Sequence, residues 1–187
     1  FDANRQAIIN PEDLNEPLEG FPKIAVSCFS RSTFQRMLEM FPHELIYETS
    51  MANVAIPIYK LVIAEQELAL FNAPVGASAC VAILEDFFAL GADKLVLFGT
   101  CGVLDEDMKE TSIIIPSHAL RDEGTSFHYV EASDEIAVNV GVLDRFRSYL
   151  NERQISHKEG KVWTTDGIYR ETNGKLKARK AAGAICV

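Results

Sequence analysis

The chain has 187 residues, of which 48% are hydrophobic and 24% charged, a composition typical of one soluble globular domain. Its formal net charge of -9 disfavours a nucleic acid or an anionic membrane surface as partner. No apolar run reaches the roughly 18 residues that a membrane helix needs, and no secretory pattern opens the chain. The four cysteines are widely spaced and no Cys/His cluster occurs, so we expect reduced thiols, no metal site and a cytoplasmic location.

The apolar pattern predicts strands that alternate with helices after a polar, proline-bearing arm over residues 1–22. The predicted strands span residues 23–28, 56–64, 67–73, 94–98, 111–118, 158–165 and 184–187. The predicted helices span residues 33–40, 78–90 with Ser78 as N-cap and Gly91 as stop, 136–150 and 174–182. This order predicts the α/β class: a single domain over residues 23–187, with a mixed, mostly parallel sheet and helices on both faces.

In such a sheet, ligands bind beyond the carboxyl ends of the strands. Two loops at predicted strand ends are rich in small residues, over residues 72–80 and 98–102. In the second loop two glycines flank Thr100, an arrangement that can present N–H groups and a hydroxyl to an oxyanion such as phosphate. A purely structural tight turn fits either loop equally well.

Three segments in the same order resemble the nucleoside phosphorylase superfamily, in particular its purine nucleoside and uridine phosphorylase branch. They are residues 75–102, which end in LFGTCG, residues 120–128 (LRDEGTSFH) and residues 163–169 (WTTDGIY). The resemblance extends over residues 23–187. It implies a pentosyltransferase that converts a purine or pyrimidine nucleoside and phosphate reversibly into free base and pentose 1-phosphate.

The resemblance also implies site residues. For phosphate they are Ser27, Arg31, Gly99 and Thr100. For the nucleoside they are Cys101, Gly102, Thr165, Ile168 and Tyr169, with Arg121 and His128 as further candidates. Packing roles remain the alternative for Cys101, His128 and Tyr169. No cofactor is implied beyond inorganic phosphate as co-substrate, and the expected assembly is a homo-oligomer, from dimer to hexamer.

Several positions depart from the family pattern. Leu97 stands where the family's phosphorylases commonly have an arginine, and residues 44–59 contain no Lys or Arg. The apolar residues Met51, Val54, Ile56 and Ile58 in this stretch are expected to form a subunit contact. The chain also stops before the methionine-glutamate pair that holds the ribose, so the expected catalytic glutamate lies beyond Val187 and the C-terminal part is expected to be missing. Two alternatives therefore stay open: a nucleosidase that uses water, and a nucleoside-binding protein with impaired catalysis.

Overall fold

The computed structural model describes residues 1–51, 53–108 and 113–187. The helices are α1 (Pro11–Leu14), α2 (Arg31–Met40), α3 (Ala77–Leu90), α4 (Ser126–Tyr129), α5 (Val140–Glu152), α6 (Asn173–Ala181) and a 3-10 turn at Ile168–Arg170. The strands are β1 (Ile24–Cys28), β2 (His43–Met51), β3 (Val54–Ile63), β4 (Gln66–Asn72), β5 (Lys94–Phe98), β6 (Ile113–Asp122), β7 (Glu135–Ala137), β8 (His157–Thr165) and β9 (Ala184–Cys186). The chain divides into two compact units, one of residues 3–100 and one of residues 101–187 together with residues 1 and 2. No helix within the described ranges is long and apolar enough to cross a membrane.

The unit of residues 3–100 is built on a five-stranded sheet in the order β2-β3-β4-β1-β5. Strand β1 pairs in parallel with β4 and β5, while β2, β3 and β4 form antiparallel neighbours. The parallel pairs bring the carboxyl ends of β4, β1 and β5 to one edge of the sheet.

The core of this unit lies between the sheet and α3. The rings of Phe71 and Phe87 lie 4.1 Å apart, and Phe21 packs edge-on against Phe87. Ile56 and Ile58 are buried in this core, so the prediction that they form a subunit contact is wrong. Their side chains face α3 because β3 has one face on the core.

The unit of residues 101–187 contains a four-stranded sheet in the order β7-β6-β8-β9. Strands β6, β8 and β9 are parallel neighbours, and β7 lies antiparallel to β6. Trp163, Leu120 and Ala184 form its buried cluster. Gly160 on β8 leaves space for Ile185, whose side chain would lie 2.5 Å from a Cβ atom at that position.

The α/β architecture is as predicted, but the described strands form two sheets where one was expected. Strand β2 was not predicted, because its residues HELIYETSM mix charged and apolar positions without a clean alternation. Strand β5 was expected to be buried on both faces and is largely exposed, because it ends the strand order of its sheet and pairs with β1 alone among the described strands. The strand predicted at 111–118 runs to Asp122, and its positions 111 and 112 lie outside the described residues.

Two predicted helix starts are also corrected. Helix α3 begins at Ala77 with Gly76 as N-cap, so Ser78 is inside the first turn. The helix predicted over 136–150 begins at Val140, because Asn139 accepts a hydrogen bond from the Val142 N–H and caps it there. The residues before the cap form β7.

Candidate functional site

A cavity of about 660 Å³ lies at the carboxyl ends of β1 and β5, wholly within the unit of residues 3–100. Three segments line it: the loop after β1 with the first turn of α2, the start of α3, and the end of β5. The lining residues are Cys28, Phe29, Ser30, Thr33, Val75, Gly76, Ala77, Cys80, Val81, Leu84, Leu97, Phe98, Gly99 and Thr100. The predicted location of a ligand site, beyond the strand ends, is therefore the location of this cavity.

The loop after β1 is held in place by side-chain hydrogen bonds. The Asn72 amide donates to the Cys28 carbonyl at 2.6 Å, which fixes the end of β1 to the end of β4. Ser30 is the N-cap of α2, and its hydroxyl accepts from the Thr33 N–H at 3.2 Å. Since Ser30 and Thr33 both line the cavity, α2 begins at the cavity wall with the positive end of its dipole there.

A second helix also begins at this wall. The N-cap of α3 is Gly76, with φ of 112°, a backbone conformation that glycine adopts without strain. Gly76 has no side chain to accept from the first-turn N–H groups of α3, so these groups remain available to a ligand. Gly76 and Ala77 line the cavity. Two helix N-termini at one cavity favour a bound anion.

The end of β5 forms the third side of the cavity. Gly99 packs against Phe29, whose Cδ2 atom would lie 3.1 Å from a Cβ atom at position 99. Thr100, whose side chain carries a hydroxyl, also lines the cavity, and so does Leu97, whose side chain has no polar group. The cavity thus has polar groups for an anion and an apolar wall that includes Val81 and Leu84, which can pack against a ring.

Of the four predicted phosphate residues, two line the cavity and two do not. Gly99 and Thr100 line the cavity. Arg31 is the first residue of α2, with an exposed side chain that is outside the cavity lining. Ser27 is fully buried: its hydroxyl donates to the Phe71 carbonyl at 2.9 Å and accepts from the Ala73 N–H at 2.9 Å. The Ser27 hydroxyl therefore joins two strands and is out of reach of a ligand.

The predicted nucleoside residues belong to the other unit. Gly102 exchanges two backbone hydrogen bonds with Val187, at 2.8 and 2.9 Å. Cys101 beside it is exposed. Thr165 ends β8, and its hydroxyl accepts from the Gly167 N–H. Ile168 and Tyr169 lie on the 3-10 turn that follows, and the Tyr169 side chain is 95% exposed.

Arg121 has a structural environment that the sequence did not reveal. It is 5% exposed, its Nε donates to the Ser126 hydroxyl at 2.8 Å, and its guanidinium lies 3.7 Å above the ring of Phe127. Its Nη1 donates to the Glu131 carbonyl at 2.7 Å. Within the described ranges its buried Nη2 has no partner. These contacts fold the segment after β6 onto the strand, while His128 on α4 remains exposed.

Two carboxylates order the strand ends of this unit. The Asp166 carboxylate accepts from the Gly124 N–H at 2.9 Å and so joins the loops after β6 and β8. Asp122 accepts from Lys175 at 2.9 Å and from the Trp163 indole at 3.1 Å. Burial acts to raise the pKa of Asp122, but these hydrogen bonds and the charges of Lys175 and Arg179 outweigh it, so the pKa lies below its usual value. Asp122, Gly124, Trp163 and Asp166 lie in the two segments at 120–128 and 163–169 that resemble the family, but the sequence pattern gives no signal for these contacts between distant loops.

No group of His, Cys, Asp and Glu side chains suited to a metal ion occurs in the part of the chain that the structure describes. The arrangement around the cavity instead offers backbone N–H groups, helix dipoles and hydroxyls. Such groups can bind an oxyanion and stabilise negative charge.

Comparison with known proteins gives consistent results. A family model described as the phosphorylase superfamily matches residues 23–187. A purine nucleoside phosphorylase of the DeoD type from Brevibacillus brevis is 30% identical over 83 residues, which cover 44% of this chain and 35% of that protein. A uridine phosphorylase from Treponema pallidum is 23% identical over 111 residues, 59% of this chain and 43% of that protein. The chain thus spans less than half the length of these two relatives.

The crystal structure of a uridine phosphorylase from Vibrio fischeri superposes with a TM-score of 0.76 at 17% identity. The superposition covers 91% of this chain and 72% of that one. This likeness confirms the predicted α/β fold class.

Proposed function

The chain belongs to the phosphorylase superfamily, and on that premise we propose that it carries the phosphate site of a nucleoside phosphorylase. The proposed reaction is reversible phosphorolysis of a purine or pyrimidine nucleoside to free base and pentose 1-phosphate. The observation that carries the proposal is the cavity at which α2 and α3 both begin and whose lining includes Thr100.

Phosphate would bind against the first turns of α2 and α3. The free N–H groups beside Gly76 and the hydroxyl of Thr100 supply donors, and Ser30 holds the first turn of α2 in position. Arg31, on the same first turn, supplies a positive charge that its exposed side chain can bring toward a bound dianion. A partly buried dianion needs such compensation because it loses its water shell.

In the proposed step, a phosphate oxygen forms a bond to the anomeric carbon of the sugar as the bond to the base nitrogen breaks. The electron pair of the broken bond leaves with the base, which then takes up a proton. The transition state carries positive charge on the sugar, so a phosphate held close by stabilises it electrostatically. We propose that Thr165, Ile168 and Tyr169 contact the nucleoside, with the exposed Tyr169 ring free to stack on it. Arg121 and His128 remain further candidates for the nucleoside site, and Arg121 also holds the neighbouring loop through Ser126 and Glu131.

One observation favours the second candidate, a nucleosidase. Leu97 lines the cavity where its hydrocarbon side chain adds no charge for a phosphate dianion. In that case water would attack the anomeric carbon, and free pentose would replace pentose 1-phosphate.

The test is release of free base from a panel of purine and pyrimidine nucleosides, with and without phosphate. Phosphorolysis predicts that release requires phosphate, whereas equal release without phosphate would replace the phosphorylase with the nucleosidase. Thr100→Ala should lower kcat/KM for phosphate by roughly tenfold, the equivalent of about 1.4 kcal/mol. Ser78→Ala is the matched control, because Ser78 lies in the first turn of α3 but outside the cavity lining.

A further inference from the structure

Two of the four cysteines lie together in the unit of residues 101–187, although they are far apart in sequence. Gly102 and Val187 face each other through two backbone hydrogen bonds, and Val103 faces Cys186 in an antiparallel bridge. Because side chains alternate along extended backbone, Cys101 points to the same side as Val103 and therefore to the side of Cys186. The two cysteines are diagonal neighbours across this short antiparallel pair.

The thiols interact directly. Burial raises the pKa of the Cys186 thiol to about 12, and a hydrogen bond that the Cys186 thiol donates to Cys101 adds to the effect. Cys101 is exposed, whereas Cys186 is 1% exposed. An oxidant in solution can therefore reach Cys101 but not Cys186. The Cys186 thiol is a buried neighbour that can react with an oxidised Cys101.

We propose that Cys101 and Cys186 form a redox-active pair that small disulfides such as oxidised glutathione convert into an intramolecular disulfide. The Cys101 thiolate attacks one sulfur of the small disulfide and expels one thiolate, which leaves a mixed disulfide on Cys101. Cys186 then loses its proton and its sulfur attacks the Cys101 sulfur, which expels the second thiolate. The protein thus loses two hydrogens as two protons and two electrons, and the small disulfide is reduced to two thiols.

The disulfide can close only if the backbone at Cys101 moves toward Cys186. A disulfide joins Cα atoms about 4.4–6.8 Å apart, and diagonal neighbours on paired strands lie about 7–8 Å apart. Closure therefore requires a small approach of the Cys101 backbone. That movement is available because Cys101 lies outside the bridge, between Thr100 and Gly102, in a stretch without helix or strand pairing.

The other two cysteines provide the contrast. Cys28 and Cys80 are both buried and belong to the unit of residues 3–100. Burial raises the pKa of both thiols, as it does that of Cys186, but Cys101 is exposed, so an oxidant in solution meets Cys101 first.

The test is peptide mapping after the folded protein is treated with oxidised glutathione at about pH 8, where ordinary thiols are partly ionised, and the remaining free thiols are alkylated. We expect a linked Cys101–Cys186 peptide, with Cys28 and Cys80 alkylated. A glutathione adduct that persists on Cys101 while Cys186 is alkylated would overturn the proposal. This readout needs no enzymatic activity and is independent of the proposed function.

Three variants refine the test. Cys186→Ser should stop at the glutathione adduct on Cys101, Cys101→Ser should leave Cys186 reduced, and Cys80→Ser should still give the linked peptide. Oxidation of Cys186 in Cys101→Ser as fast as in the unsubstituted protein would contradict the proposed order of attack. Should Cys186→Ser fail to fold, the peptide map of the unsubstituted protein decides the question alone.

Discussion

The Ser27 hydroxyl accepts a hydrogen bond from the Ala73 N–H at 2.9 Å, and through it β1 holds the residue that follows β4. Both residues are buried, and Ala73 leads into Gly76 and the first turn of α3 at the cavity. The family resemblance places Ser27 at the phosphate. In the structure, its hydroxyl instead holds the backbone that leads into the cavity.

Ser27→Ala should lower the free energy of unfolding by about 1–3 kcal/mol, because it leaves the buried Ala73 N–H and Phe71 carbonyl short of a partner. Urea denaturation measures this change. Ser78→Ala, an exposed control, should change stability by no more than about 0.5 kcal/mol. Unchanged stability together with a large loss of phosphate affinity would instead place the Ser27 hydroxyl on the ligand.

Gly99→Ala should impair the site more than the fold. A Cβ atom there would lie 3.1 Å from Phe29, and Phe29 is exposed enough to turn aside into the cavity it lines. We expect kcat/KM for phosphate to fall by about tenfold, while the free energy of unfolding changes by less than about 1 kcal/mol. Gly174→Ala is the control, since the nearest atom to its Cβ is 4.0 Å away. Equal effects of the two substitutions on kinetics would refute the proposed contact.

Gly160→Ala should destabilise the unit of residues 101–187 by about 1–3 kcal/mol, the usual cost of overpacking. The new Cβ atom would lie 2.5 Å from Cδ1 and 2.9 Å from Cγ1 of Ile185. Ile185→Ala removes these atoms, so the double variant should lose less stability than the sum of the two single variants. Thermal or urea unfolding of all four proteins measures the coupling, and strict additivity would show that Ile185 is not the obstacle.

Asp122 stabilises the folded protein at neutral pH, and we expect this contribution to be lost in acid. Its pKa is lowered in the folded protein, so its contribution to stability is present above the unfolded pKa of about 3.9 and is lost as the pH falls through the folded pKa. Urea unfolding at a series of pH values from neutral to acidic measures the loss. In Asp122→Asn the pH dependence should be shallower and stability at neutral pH lower, since Lys175 and Arg179 lose their partner. An unchanged slope would mean that the ion pairs with Lys175 and Arg179 do not contribute to folding stability.

The sequence alone predicts the parts of the fold that local chemistry determines. The stop of α3 at Gly91, the hairpin of β3 and β4, and the cavity beyond the strand ends all follow from residue types and their spacing. The first helical residue of α3 does not, because Gly76 with its positive φ takes the N-cap position that Ser78 was expected to fill.

Contacts that depend on tertiary packing could not be predicted from the sequence pattern. The run KLVLF predicts a buried strand, yet burial of β5 depends on its position in the strand order. The burial of Arg121 against Phe127 and the bonds of Ser27 to Ala73 and Phe71 depend on segments whose relation no periodicity reveals. Family resemblance located the loops, while the structure distinguished Thr100, which lines the cavity, from Ser27, which does not.

The most direct measurement of the central claim is the identity of the sugar product. Phosphorus NMR of a reaction with a nucleoside and phosphate distinguishes a phosphate ester from free phosphate. Our account predicts that pentose 1-phosphate forms in equal amount to the free base, and that both are reduced in Thr100→Ala. Free base with an unchanged phosphate signal and free pentose would contradict it.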